Sequence, residues 1–283
     1  MIPKTIHYCW FGGGPLPEIA EACIESWARY CPGYAIVRWD ETSFDVKSHQ
    51  FTATAYERRM FAHVSDYVRA HALHEQGGIY LDTDVELKGS LDRFLGDRAF
   101  SGFEVPGSPF TAVWGAEPGH PWPRAVLDGY GRPVGSSEPT NTTLVTSILV
   151  DSCGIDPAVD RYQRGFEGIV IYPSSVLCLD LPENVATHHF AGSWLPNRPS
   201  VSYKDAVHAR YYRDQLLASN AYDSDAEVLR DLLWNLGLRR GLRAVVGLVP
   251  LLVRVIVKRA GFGRWLPQRT EVATNEGSIR RRR

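Results

Sequence analysis

Residues Gly77 to Leu87, GGIYLDTDVEL, constrain this chain more than any other stretch. Two glycines end a helical pattern, a short apolar run follows, and the run finishes in two aspartates one residue apart. Alternate side chains of an extended chain share a face, so Asp82 and Asp84 point one way and Thr83 the other. Like charges that close raise each other's pKa unless a cation or hydrogen-bond donors compensate. A lone D-x-D pair is also read as a solvated strand end, so its neighbours decide.

Around this block, strand and helix patterns alternate. KTIHYCWF (4–11) reads as a buried strand broken by GGGPLP, and Pro17 opens a helix to about Tyr30 with Ile19, Cys23 and Trp27 on one face. YAIVRW (34–39) is a second strand. A helix is expected from about Ala53 to Gln76, striped by Phe61, Val64, Val68 and Ala72 and stopped by Gly77-Gly78. IYL (79–81) is the third strand. Beyond it, AFSGFEV, PFTAVWGAE and IVIYP read as strands. HPWPRAVLDGY and TTLVTSILVDSCG read as helices, as do about 203–219 and 224–238; ATHHFAGSWLP reads as a loop. The alternation predicts an α/β fold with a largely parallel sheet.

Length bounds the chain to one large domain or two small ones, since 283 residues bury a full core. Five cysteines (9, 23, 31, 153, 178) form an odd, scattered set without a C-x-x-C pair, which argues against a disulfide framework or a zinc knuckle. MIPKTIHYCW lacks the apolar stretch of a signal peptide, so a cytoplasmic location is expected. From Arg239 onward there are twelve basic and two acidic residues. That leaves 19 basic against 30 acidic residues in 1–238, a charge of about −11 on the body.

In open α/β sheets ligands sit beyond the carboxyl ends of the strands, where Trp10 and Asp82 end their respective runs. Asp66 and Arg69 lie three apart in the helix that precedes the D-x-D strand, and so share a face. Two carboxylates for a hard cation, an arginine for phosphate and an aromatic for a flat ring describe a nucleotide-diphosphate site. Mg²⁺ and Mn²⁺ suit such a pair completed by phosphate oxygens.

Three segments, IPKTIHYCWFGG, SDYVRAHALHEQGGIYLDTDVELKGSLDRF and HHFAGSW, resemble in order the D-x-D glycosyltransferases that include yeast initiating α-mannosyltransferases, α-1,4-galactosyltransferases and bacterial capsule enzymes. The glucosylating domains of clostridial toxins are more distant relatives. The resemblance spans about residues 2–195 and implies a GT-A fold, a mixed, mostly parallel sheet flanked by helices. The catalytic core is then 1–200, with a helical continuation at 201–238 and a basic tail at 239–283.

The resemblance also implies roles. Trp10 stacks on the donor base, Asp66 binds the ribose or donor sugar, and Arg69 contacts the diphosphate or sugar hydroxyls. Tyr80 shapes the donor pocket, and Asp82 and Asp84 hold Mn²⁺ or Mg²⁺ and the ribose. His189, Ser193 and Trp194 close over metal and diphosphate, with His189 expected as a metal ligand although His188 is adjacent. Asn141 is a contact to donor or acceptor, in a segment, PTNTTLVTSIL, that matches the family only loosely. The implied activity is retaining transfer of a hexose from a UDP- or GDP-linked donor to a glycan or lipid-linked acceptor, in surface polysaccharide or glycolipid synthesis.

The tail, LRRGLRAVVGLVPLLVRVIVKRAGFGRW (238–265), has an apolar stretch of ten residues bounded by arginines. A bilayer span needs about 20. A basic amphipathic segment lying on an anionic membrane face fits better, which would place the protein on the inner side of the cytoplasmic membrane. Two other readings remain open at this stage. One is a phosphatase of the haloacid dehalogenase type, whose strand also ends in D-x-D, and the other is a non-catalytic membrane-bound sugar-nucleotide binder. No groove-reading motif accompanies the terminal arginines, so nucleic acid is not an expected partner.

Overall fold

In the computed structural model, residues 1–131, 141–182, 184–191 and 203–218 are described. Ser193, Trp194, the helix expected at 224–238 and the tail lie outside them. The elements, in chain order, are β1 (Thr5–Cys9), α1 (Glu18–Tyr30), β2 (Ala35–Trp39), α2 (Gln50–Glu57), α3 (Phe61–Gln76), β3 (Gly78–Leu81) and β4 (Val85–Leu87). There follow β5 (Ala99–Val105), β6 (Ser108–Pro109), β7 (Val113–Ala116), α4 (Pro121–Tyr130), α5 (Asn141–Cys153), β8 (Gln163–Arg164), β9 (Ile169–Tyr172), α6 (Ser174–Leu177), β10 (Ala186–His188) and α7 (Tyr203–Ala218).

The main sheet runs β2-β1-β3-β7-β5-β9-β8, with β6 on β5. Strands β2, β1, β3, β5 and β9 share one direction, and β7 and β8 run against them. This is the mixed, mostly parallel, helix-flanked sheet expected of a GT-A fold. A second, two-stranded sheet pairs β4 with β10 antiparallel. Each face of the main sheet buries its own core. One holds Val64, Val68, Leu73, Trp114, Trp122 and Val145, and the other holds Ile6, Trp27, Ile79, Leu81, Phe94 and Phe100. Ile79 and Leu81 enter the second core and Tyr80 the first, the alternation a strand imposes. Among the described residues, no helix is long and apolar enough to cross a membrane.

The helix expected over 53–76 is two helices. Arg59 takes the left-handed conformation at φ 57°; Met60 N–H bonds the Ala55 carbonyl and Arg59 N–H the Tyr56 carbonyl, at 2.8 and 2.9 Å. This is a Schellman ending with arginine where glycine usually stands, so no glycine marks it. In α1 the buried stripe is Ala20, Cys23, Ser26 and Trp27, while Ile19 is exposed. The helix reaches across to β4, with Trp27 Nε1–H donating to the Val85 carbonyl and Leu87 N–H to Ser26 Oγ.

Gly77 and Gly78 are both required. They take φ of 64° and 104°, and a Cβ would stand 2.5 Å from Pro118 Cδ at the first and 2.7 Å from the Thr5 carbonyl oxygen at the second. Beside them His7, fully buried in β1, accepts from Trp39 Nε1–H at Nδ1 and donates from Nε2 to the Gly77 carbonyl, 3.1 and 2.8 Å away. The strand that ends in the aspartates is thereby anchored at its start. All five cysteines are buried and unbridged, and burial raises each thiol, Cys23 to about 12 and Cys153 to about 11.

Candidate metal and donor site

Strand β3 delivers Asp82 at its carboxyl end, where Asp82 N–H bonds the Ala112 carbonyl at 2.8 Å. Helix α3 brings Arg69 alongside. Its guanidinium, 7 % exposed, lies 2.9 Å from Asp66 and 3.2 Å from Asp82. It donates to the Thr111 carbonyl and Oγ1 at 3.2 and 3.1 Å and sits 4.6 Å from the centre of the Tyr80 ring. Tyr80 O–H in turn donates to Asp82 at 2.9 Å. Asn141, the first residue of α5, donates to Thr111 Oγ1 at 2.6 Å and accepts from Tyr130 O–H at 3.0 Å. One buried polar network therefore runs from α5 through Thr111 to Arg69 and both carboxylates. Thr111 and Tyr130 belong to it without having been expected.

Charge in this network is balanced against burial. Burial pushes the Asp66 carboxyl up to about 7, with Arg69 pulling it down and Asp82 adding to the rise. Burial alone would lower Arg69, but Asp82, Tyr80 and Asp66 outweigh it and raise its pKa further. The Cys9 thiol at the end of β1 neighbours Arg69, Asp82, Tyr80 and Ser65. The carboxyl ends of β1 and β3 thus meet at one place. Trp10, the next residue, is half-buried, with its indole N–H on the Gly14 carbonyl at 2.8 Å and its main-chain N–H on the Trp39 carbonyl at 2.9 Å.

Asp84 is held from the other side. His188 Nε2 stands 3.2 Å from its Oδ1, Ala191 N–H donates to its Oδ2 at 2.8 Å, and His189 N–H donates to its carbonyl at 2.9 Å. Burial would raise the Asp84 carboxyl, yet His188 and the N–H groups of Ala191 and of Asp84 itself hold it well below the usual carboxylate range. Burial would lower His188, yet Asp84 raises it.

Ligand atoms of Asp82, Asp84 and His188 all lie within 4.8 Å of one another. The histidine that joins the pair is His188, in place of the expected His189. Pairing of β10 with β4 sets His188 opposite Val85 and turns its side chain to Asp84. Alternation sends the neighbouring ring away, and His189 bonds Glu86 Oε2 at 2.9 Å and Lys204 Nζ at 3.1 Å. The donor set fits a divalent ion, since two hard carboxylates and one imidazole leave room for ligand oxygens. His188 Nδ1 is also buried without a hydrogen-bond partner.

Residues 17–101 match the family described as "Glycosyltransferase sugar-binding region containing DXD motif". Inositol phosphoceramide mannosyltransferase 3 of Schizosaccharomyces pombe (strain 972 / ATCC 24843) is 31 % identical over 125 residues, 43 % of this chain but only 35 % of that relative. Among solved structures, the PaToxG glycosyltransferase is similar at TM-score 0.44 and 17 % identity, over 53 % of this chain and 69 % of that one. A glycosyltransferase involved in the glycosylation of the major capsid of PBCV-1 is similar at TM-score 0.41 and 12 % identity, over 66 % and 94 %. The matched region runs from the edge of α1 into β5 and takes in Asp66, Arg69, Tyr80, Asp82 and Asp84. Over that region, this chain is similar to the glycosyltransferases whose sugar-binding region contains a DXD motif.

Proposed function

We propose that this chain is a metal-dependent, retaining glycosyltransferase that moves a hexose from a UDP- or GDP-linked donor to a hydroxyl of a glycan or lipid-linked acceptor. The observation that carries the proposal is the convergence of Asp82, Asp84 and His188 within 4.8 Å beside Arg69. Asp82, Asp84 and His188 would hold the ion, and the imidazole favours Mn²⁺ over Mg²⁺. Bound there, the ion supplies positive charge to the departing diphosphate. Arg69 adds a permanent charge already fixed by Asp66, Asp82 and Thr111, so it stabilises developing negative charge without reorganising.

Trp10 is the platform for the base, Tyr80 and Asp66 shape the ribose and sugar side, and Asn141 braces Thr111. Ser193 and Trp194 keep the closing role that the resemblance gives them. Every carboxylate among Asp66, Asp82 and Asp84 is engaged by a cation, which leaves none of them as a free nucleophile. Front-face attack fits this arrangement. The acceptor oxygen bonds the anomeric carbon, the bond to the phosphate oxygen breaks, and the hydroxyl proton goes to that departing oxygen. The basic apolar segment at 239–265 supports contact with an anionic membrane that carries a lipid-linked acceptor, and surface polysaccharide or glycolipid synthesis is the corresponding pathway class.

Calorimetric binding of UDP and of GDP, each with and without Mn²⁺, tests the proposal. Metal-dependent binding of one nucleotide is expected and identifies the donor class. If folded protein binds neither, the site reading fails and the phosphatase or a non-catalytic role takes its place.

A further inference from the structure

The first turn of α7 grips the turn that carries the third metal-site ligand. Phe190, in that turn, takes φ 52°, a left-handed conformation that a bulky side chain rarely adopts, so the surroundings must hold it. Its ring lies 4.1 Å from the ring of His188 on one side and 5.1 Å from that of Tyr203 on the other. His189 is pinned between Glu86 and Lys204, at 2.9 and 3.1 Å. Lys204 has only donors to offer, so His189 Nδ1 accepts and its Nε2–H donates to Glu86. The main chain of this turn supplies the two N–H groups that bond Asp84.

We infer that Lys204 is a positioning residue for the metal site, acting through His189 to hold the 188–191 turn against Asp84. The inference rests on reading Asp82, Asp84 and His188 as a metal site. Lys204 is buried, lies 3.6 Å from Asp180, and is 15 residues beyond His189 in the chain. Asp180 keeps Lys88 as a second partner, so the lysine can be changed without stranding that carboxylate. Lys204 Nζ meets His189 Nδ1 and Asp180, and its effect on the aspartate pair passes through the imidazole and the main chain. Partners one step removed from a metal commonly change its affinity by about 10–100-fold.

The test is Mn²⁺ binding to the full chain in the presence of the nucleotide that binds, followed by calorimetry and by the Mn²⁺-dependent rise in Tm. Lys204→Met is expected to weaken Mn²⁺ binding about tenfold or more and to shrink the Mn²⁺-dependent Tm rise, with Lys204→Arg restoring both in part. His189→Leu removes both the acceptor for Lys204 and the donor toward Glu86, so it should weaken Mn²⁺ binding at least as much as Lys204→Met, and the double variant should add nothing to it. A purely structural role lowers Tm equally with and without the ion. Lys204→Met binding Mn²⁺ within twofold of wild type overturns the inference. If Lys204→Met does not fold, His189→Leu decides by the same criterion. Wild type that binds no Mn²⁺ overturns the metal-site reading itself, and this inference with it.

Discussion

Asp82 leans on a buried guanidinium, whereas Asp84 leans on an imidazole and a short turn of main chain. On the Arg69 side, the groups come from α3, β3, the loop before β7 and the start of α5. Their cation keeps its charge at any accessible pH, and an aromatic face and four polar partners fix it in place. On the His188 side, the groups come from the residue before β4 and from the end of β10 and the turn after it, about a hundred residues apart, and the cation is one that titrates. A site built this way has one wall whose charge is preset and one whose charge titrates. On the proposed metal-site reading, an ion ligated by His188 would take the place of its proton, while the guanidinium of Arg69 keeps its charge.

The sharpest way to break this contrast is at the aspartate on the His188 side. Asp84→Ala should abolish release of nucleotide from the sugar donor while the protein stays folded, because the variant removes a ligand and not a core side chain. Near-normal turnover would sink the metal-site reading. Arg69→Ala should act differently and cost stability first, by about 3–5 kcal/mol, since it leaves Asp66 and Asp82 without their buried counter-charge. Denaturant unfolding of the metal-free protein measures this, and a loss below about 1 kcal/mol would show that the Arg69 wall is not the rigid one.

The smallest effect separates the walls by pH. His188 has a raised pKa, so its stabilisation is complete below its ordinary 6.5 and is lost as pH rises through the raised value. Asp84 has a lowered pKa, so its stabilisation is present above 3.8 and is lost as pH falls through the lowered value. The pair therefore contributes most between pH 3.8 and 6.5 in chelated protein. Asp66, raised to about 7, adds a decline of its own as pH rises above 3.8. The readout is thus the difference in Tm between wild type and His188→Gln, measured within that range and above it. A difference that does not change above pH 6.5 would remove His188 as the titrating wall.

Much of the Arg69 side was legible because its logic is local. Asp66 and Arg69 share a helix face at i, i+3, and Gly77-Gly78 marks the join between helix and strand by the φ values those positions need. Thr111 was not legible, since a threonine in a loop gives no sign that a guanidinium 42 residues away will reach it. On the His188 side, the pair of histidines was visible, but strand alternation leaves the parity open. Only the pairing of β10 with β4 decides which ring faces Asp84. The break between α2 and α3 escaped for a related reason, because the left-handed position is filled by Arg59 and not by glycine.

The five withdrawn thiols turn the protein into a ready frame for chemical labelling. Each is buried and holds its proton well above neutral pH, so none competes strongly for a thiol-reactive probe. A single cysteine introduced at an exposed position such as Ala206, on α7 two residues past Lys204, becomes the preferred point of attachment. A spin label or fluorophore placed there reads the surroundings of α7 in otherwise native protein, and the distance to any Mn²⁺ added and taken up, without first stripping cysteines from the core.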